Sequence, residues 1–321
     1  MTVFFSIVQS VGVLIGLGLL GFCIIARRMM PGNALAFLSP LVLEIALPSL
    51  IFVSIVQNFT LEKFPNWWTV PLWWILFTII LLIITLLFAL ISKPETRSEF
   101  AISLFYQNGI FFPLAIISGL FGKDSIYLVT LFLFISFHPA LFFTTYRFFF
   151  KDKSSSDPGS VKPIDWKKII HPVLIMTLIA LTIRLYGAQA MVPSFIVSGL
   201  SMLGAMALPL IMIILGGSIF VDFQKKGTFE TVEVIKFVVV KNFLFPIVFL
   251  ILLLIFRPSY SMALIIFLQS AVPPITAIPI ITERMGGNAA ITNQFLVASY
   301  IALIISIPVV FSLFSKYFPA P

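Results

Sequence analysis

No charged residue occurs from Met1 through Ala26, or in the intervals Lys63–Lys93, Glu99–Lys123, Arg184–Asp222, Arg257–Glu283 and Arg284–Lys316. Each run is long enough for a helix to cross a bilayer, which takes about 20 mostly apolar residues. Only 10% of the residues are charged, against about 25% in a soluble domain. Such a chain cannot cover a globular surface with polar groups, so its solvent is largely lipid. This excludes a soluble enzyme, a nucleic-acid binder and a disordered scaffold. Helices rather than barrel strands follow from run length, since barrel strands are short and alternate. The apolar runs predict an all-α polytopic membrane protein with ten spans: 2–25, 35–57, 70–91, 100–119, 125–146, 169–185, 195–221, 231–256, 260–282 and 289–314.

The basic residues set the orientation. Loops after spans one, three, five, seven and nine carry 13 Lys and Arg, and the opposite side carries 5. Lys236 and Lys241 lie inside span eight. Cytoplasmic loops are enriched in Lys and Arg, so both termini are predicted extracytoplasmic. No basic residue precedes span one, and Arg27 and Arg28 follow it. It therefore reads as a retained span rather than a cleaved signal. The net charge of +8 is topological and calls for no nucleic-acid partner. The segment 147–168 has linker composition, with Ser154–Ser156, Pro158, Gly159 and Pro163 discouraging regular structure. It separates two predicted halves, 1–146 and 169–321.

Five spans per half put the halves in opposite orientations. Short words recur at a common offset near half the chain. Ala46-Leu47-Pro48 recurs as Ala207-Leu208-Pro209 after 161 residues. Phe105-Tyr106-Gln107 corresponds to Phe267-Leu268-Gln269 after 162, and Phe121-Gly122-Lys123-Asp124 to Met285-Gly286-Gly287-Asn288 after 164. The shared offset predicts an inverted repeat.

Spans four and nine share a further oddity. Span four carries Gln107, Asn108, Gly109 and Pro113; span nine carries Gln269, Ser270, Pro273, Pro274 and Pro279. Proline removes a backbone donor and clashes with the preceding turn, so both helices are predicted to break. The alternative is two packed helices that are merely kinked. Irregular backbone at membrane depth survives only where protein or a water-filled cavity covers it. Paired breaks in corresponding places of inverted halves point to a transporter's central site. Half-helix N-termini there offer N–H groups to an anion.

These residues carry a resemblance. Leu41-Val42 and Ala46-Leu47-Pro48-Ser49-Leu50-Ile51-Phe52, Lys241-Asn242-Phe243-Leu244-Phe245-Pro246, and Gln269-Ser270-Ala271-Val272-Pro273 with Pro279 resemble the second-, eighth- and ninth-helix patterns of the auxin efflux carrier family, which includes the plant PIN-FORMED carriers. The resemblance implies an NhaA-type fold of two inverted five-helix repeats. In it, helices 1, 2, 6 and 7 form a scaffold, and helices 3–5 and 8–10 form a transport domain that moves as an elevator. It implies broken helices 4 and 9 that cross where a small organic anion binds, a carboxylate in bacterial members. The fourth-helix pattern departs from the family: Asn108 lies five residues before Pro113, and Tyr106 holds the place, seven before, where the family has Asn.

Other polar residues lie within the spans. Glu44 sits roughly 13 Å into span two, a depth at which an acid is a functional candidate. It could carry a proton or make a structural hydrogen bond. Lys241 lies at similar depth in span eight. It could attract the anion, pair with an acid, or snorkel to the headgroups. His138, just before Pro139, could relay protons, though a packed neutral ring is the commoner use of such a residue. Trp67, Trp68, Trp73 and Trp74 read as an interfacial belt.

The expectation is a secondary transporter for a small organic anion in a bacterial inner membrane, with membrane lipid around it and a proton or sodium ion as candidate coupling partner, and it has two rivals. One is a proton- or sodium-coupled symporter or antiporter of the same fold with another substrate. The other is a membrane ligand sensor without transport. A homodimer is compatible with either. No GxxxxGK[ST] sequence is present, so a nucleotide does not supply the energy through that motif. One cysteine, Cys23, and two distant histidines, His138 and His171, suggest no metal site, and no cofactor is expected.

Overall fold

The computed structural model describes residues 2–150, 170–224 and 229–321. Most of the 147–168 linker, with Lys151, Lys153, Lys162, Lys167 and Lys168, lies outside the described residues, as do Lys225 and Lys226.

The described residues are helical: α1 (Thr2–Ala26), α2 (Ala34–Asn58), α3 (Trp67–Ala89), α4 (Arg97–Phe105), α5 (Phe111–Phe121), α6 (Ile126–Phe149), α7 (Pro172–Leu185), α8 (Ser194–Val221), α9 (Thr231–Phe256), α10 (Tyr260–Ala271), α11 (Ile278–Arg284) and α12 (Ala289–Tyr317). Among them, 6 are long and apolar enough to cross a membrane: α2, α3, α6, α8, α9 and α12. Four shorter apolar helices, Ile15–Ala26 within α1, α5, α7 and α10, fall on the other expected spans. Two of these are short because the predicted spans four and nine are each broken, into α4 with α5 and α10 with α11. The outward residues are apolar. On α3 the side chains of Leu72, Ile79, Ile83, Leu86 and Leu87 are all exposed, as expected of a helix that faces lipid.

The chain divides into two compact units. The first comprises Met1–Trp74, Ile110–Phe137 and Ile170–Val221. Its centre is the second half of α2, whose Leu47, Ile51 and Ile55 are fully buried where α7 and α8 pack on it. Small residues let backbones approach closely in lipid, where apolar side chains gain little by leaving their solvent. A Cβ placed on Gly204 would lie 2.8 Å from the Leu50 Cα, and one on Gly216 would meet the Gly18 carbonyl.

The second unit comprises Ile75–Gly109, His138–Ile169 and Asp222–Pro321. Its core includes Phe100, Phe237 and Phe295, with centroids 4.5 to 5.6 Å apart. Two buried carboxylates stitch one end. Glu233 accepts from Ser92 Oγ and Lys236 Nζ, both at 2.7 Å. Glu99 accepts from the Asn288 N–H at 2.8 Å.

Two helices carry one wide turn each. In α2 the Leu47 N–H reaches back five residues to the Val42 carbonyl; in α9 the Phe245 N–H reaches the Val240 carbonyl. Each wide turn ends just before a proline, Pro48 or Pro246. A proline ring presses on the carbonyl four residues back, and the widened turn makes room for it. Glu44 lies in the first wide turn; Lys241 and Asn242 lie in the second.

Candidate functional site: a crossing of two broken helices

Within the second unit, α4 stops at Phe105 and α10 stops at Ala271. Tyr106 (φ −93°, ψ 95°) and Val272 (φ −86°, ψ 154°) turn the chain into extended backbone. The two extended segments run antiparallel, with Gln107 opposite Pro274. Asn108 N–H donates to the Pro273 carbonyl at 2.7 Å, and Ile275 N–H donates to the Tyr106 carbonyl at 3.0 Å. Each break thus supplies the partners that the other lacks, which a buried backbone requires. Pro273 and Pro274 suit the place because they bring carbonyls without an N–H to satisfy.

Side chains brace the crossing. Gln269 Nε2 donates to the Gly109 carbonyl at 2.7 Å. A Cβ at residue 109 would fall on the Gln269 amide, so only glycine lets this bond form undisturbed. Asn108 Nδ2 donates to Tyr300 Oη at 3.3 Å, and Tyr300 Oη donates to the Pro274 carbonyl at 3.3 Å. Ser270 Oγ turns back to the Phe267 carbonyl at 2.6 Å. Tyr106, Gln107, Asn108, Gln269, Ser270, Pro273 and Pro274 are all buried.

The expected site residues divide as follows. Gln107, Asn108, Gly109, Gln269, Ser270, Pro273 and Pro274 come together. The break in span four is narrower than expected: Pro113 is the third residue of α5, which belongs to the first unit. A proline fits a helix's first turn because that N–H has no intrahelical acceptor. Gln269 and Ser270 close the last turn of α10 instead of lying in the break. The backbone N–H groups expected to be free in the breaks are also different. Those of Asn108, Gly109 and Ile275 are used, Gly109 donating to the Gln107 carbonyl at 2.8 Å. Thr276 and Ala277, just before α11, have N–H groups without an acceptor among the described residues, and both residues are half-exposed.

Lys241 is fully buried rather than snorkelling. Its Nζ donates to the Leu104 carbonyl in the last turn of α4 at 3.4 Å and lies 5.1 Å from the centroid of the Phe245 ring. His138 begins the second part of α6, is buried, and faces the Gln107 main-chain carbonyl. Glu44 belongs to the first unit; its side chain is exposed and within electrostatic range of His171. Tyr300 was missed by sequence reasoning, since nothing around it in the apolar α12 distinguishes it. Thr276 and Ala277 carried a signal, being bracketed by Pro274 and Pro279.

A family model described as membrane transport protein matches residues 6–311. The chain belongs to this family, the auxin efflux carrier or PIN-like membrane transport family. No curated protein matches the chain. Family membership and the apolar helices make it an integral membrane protein with a transport function, in a family of transporters rather than enzymes.

Proposed function

We propose that the protein is a secondary transporter for a small organic anion, a carboxylate, and that the helix crossing is where the anion binds. The single observation that carries this reading is the pair of breaks, Tyr106–Gly109 and Val272–Ala277, hydrogen-bonded to each other beside N–H groups that have no acceptor among the described residues. A carboxylate would take the Thr276 and Ala277 N–H groups, since such donors bind anions and charge-assisted bonds are the stronger kind. Asn108 and Gln269 would fix its orientation, with Gln107 Oε1, buried and unpartnered, available to a donor on the substrate. Ten spans in two inverted repeats, extracytoplasmic termini, a bacterial inner membrane and elevator movement complete the proposal. Their support is the charge distribution, the recurring words and the family. Both Ala-Leu-Pro words follow irregular turns, the wide turn before Leu47 and the interruption at Met206, which favours the repeat.

The test is a thermal-shift screen of purified protein against mono- and dicarboxylates and their neutral amides. A ligand that binds only the folded state raises its melting temperature by mass action. The expected result is stabilisation by at least one carboxylate and none by its amide. Asn108→Ala should weaken that binding by roughly 1–3 kcal/mol, the scale of a hydrogen bond to a charged group. Stabilisation by amides as strong as by the acids would overturn the reading.

A further inference from the structure

Tyr300 stands on α12 and is buried. Its hydroxyl reaches both broken segments: it donates to the Pro274 carbonyl at 3.3 Å and accepts from Asn108 Nδ2 at 3.3 Å. A carbonyl only accepts, and a phenol has one proton to give. With that proton on Pro274, the hydroxyl meets Asn108 as an acceptor. The order of the chain, from the Asn108 amide through the Tyr300 hydroxyl to the Pro274 carbonyl, is therefore fixed. So is the end of the Asn108 amide that faces Tyr300. The terminal torsion of an asparagine is roughly two-fold, so without such a partner its oxygen and nitrogen can change places.

The turn of α12 that carries Tyr300 is itself held. Ser299 Oγ donates to Asn242 Oδ1 at 2.8 Å, and Asn242 Nδ2 donates to the Ser299 carbonyl at 3.0 Å and to Ser306 Oγ at 3.3 Å. All three residues are fully buried. Asn242 lies in the wide turn of α9, a feature frequent at functional sites. Bonds that run both ways between Asn242 and Ser299 set the rotation and height of α12 against α9. The next residue, Tyr300, is thereby aimed at the crossing.

Resting on the reading of the crossing as an anion site, we propose that Tyr300 is a positioning residue of that site, holding the Asn108 amide in the one orientation in which it meets a carboxylate. Its hydroxyl then has two separable effects. The bond to Pro274 belongs to the fold and remains when the Asn108 amide is removed. The bond to Asn108 bears on the ligand and disappears with that amide. A merely structural Tyr300 would have the first effect alone.

The experiment is a double-mutant cycle of Asn108→Ala and Tyr300→Phe on the purified, full-length protein, read in two ways. Affinities are measured for malonate, lactate and benzoate and for their amides malonamide, lactamide and benzamide. Stability is measured by denaturant unfolding without any of them. For the acid that binds best, Tyr300→Phe should weaken binding roughly three- to tenfold in the wild-type background, the equivalent of one neutral hydrogen bond. In the Asn108→Ala background it should weaken binding no further. Its cost in stability should persist there, because the Pro274 carbonyl loses its donor either way. An affinity loss of the same size in both backgrounds, or none in either, overturns the assignment and leaves the anion site standing. Asn108→Ala binding that acid as tightly as wild type, or a wild type that prefers no acid to its amide, overturns the anion site and this inference together. If Tyr300→Phe does not fold, Ser299→Ala, which keeps the hydroxyl but frees the turn that aims it, is read on the same cycle with the same outcomes.

Discussion

Replacing Gly109 by alanine tests the geometry of the crossing more sharply than deleting any of its polar groups. The added Cβ falls on the Gln269 amide, so the side chain must move and its 2.7 Å bond to the Gly109 carbonyl is lost. Losing a buried hydrogen bond costs about 1–3 kcal/mol, and moving the amide itself adds little because it is the far end of a flexible side chain. The residue at 109 does not have positive φ, so backbone strain adds nothing. Gly109→Ala should therefore destabilise the protein by about 1–3 kcal/mol. Gln269→Ala alone should cost about 1–3 kcal/mol, by leaving the carbonyl unpaired. Once the Gln269 amide is gone the methyl group has room, so the double variant should cost about as much as Gln269→Ala alone. Reversible unfolding in detergent measures all four states of this double-mutant cycle, and a coupling of about 2 kcal/mol is expected for residues in contact. Strict additivity would refute the contact, and a neutral Gly109→Ala would refute the close packing of the two breaks.

Other expectations follow from single groups. Thr276→Pro should weaken carboxylate binding by about 1.5–3 kcal/mol, the scale of a bond to a charged group, with little loss of fold, because Thr276 is the second residue of the turn closed by the Ile278 N–H on the Ile275 carbonyl, the place proline favours; unchanged affinity in a titration would remove that N–H from the site. Glu233→Gln should lower stability by about 1–3 kcal/mol, since Ser92 and Lys236 both donate to this carboxylate, while anion affinity stays constant; denaturant titration and ligand binding separate the two.

The helices were legible because lipid leaves a one-dimensional signature: length and lack of charge mark each span without knowledge of its neighbours. The breaks were legible for a similar reason, since Pro273-Pro274 cannot continue a helix whatever surrounds it. What the breaks do with their backbone was not legible. The Asn108 to Pro273 and Ile275 to Tyr106 bonds join residues far apart in sequence, and only the fold decides which N–H groups remain free. Tyr300 was hidden for the same reason, because its hydroxyl matters only through Asn108 and Pro274. Lys241 was visible as a basic residue within a span, but its burial and its placement on the end of α4 depend on how α9 packs. The Gly109 role was half visible: a glycine beside two amides suggested close approach without naming Gln269 as the group approached.

The central claim is that the crossing binds the anion that is carried. Counterflow in proteoliposomes tests it most directly, using the radiolabelled carboxylate that stabilises the wild type most. Wild type should exchange internal unlabelled for external labelled carboxylate. Asn108→Ala, reconstituted to the same level and equally folded, should exchange it at least several-fold more slowly at subsaturating concentration. Equal exchange by the two proteins would contradict the claim and place the anion elsewhere.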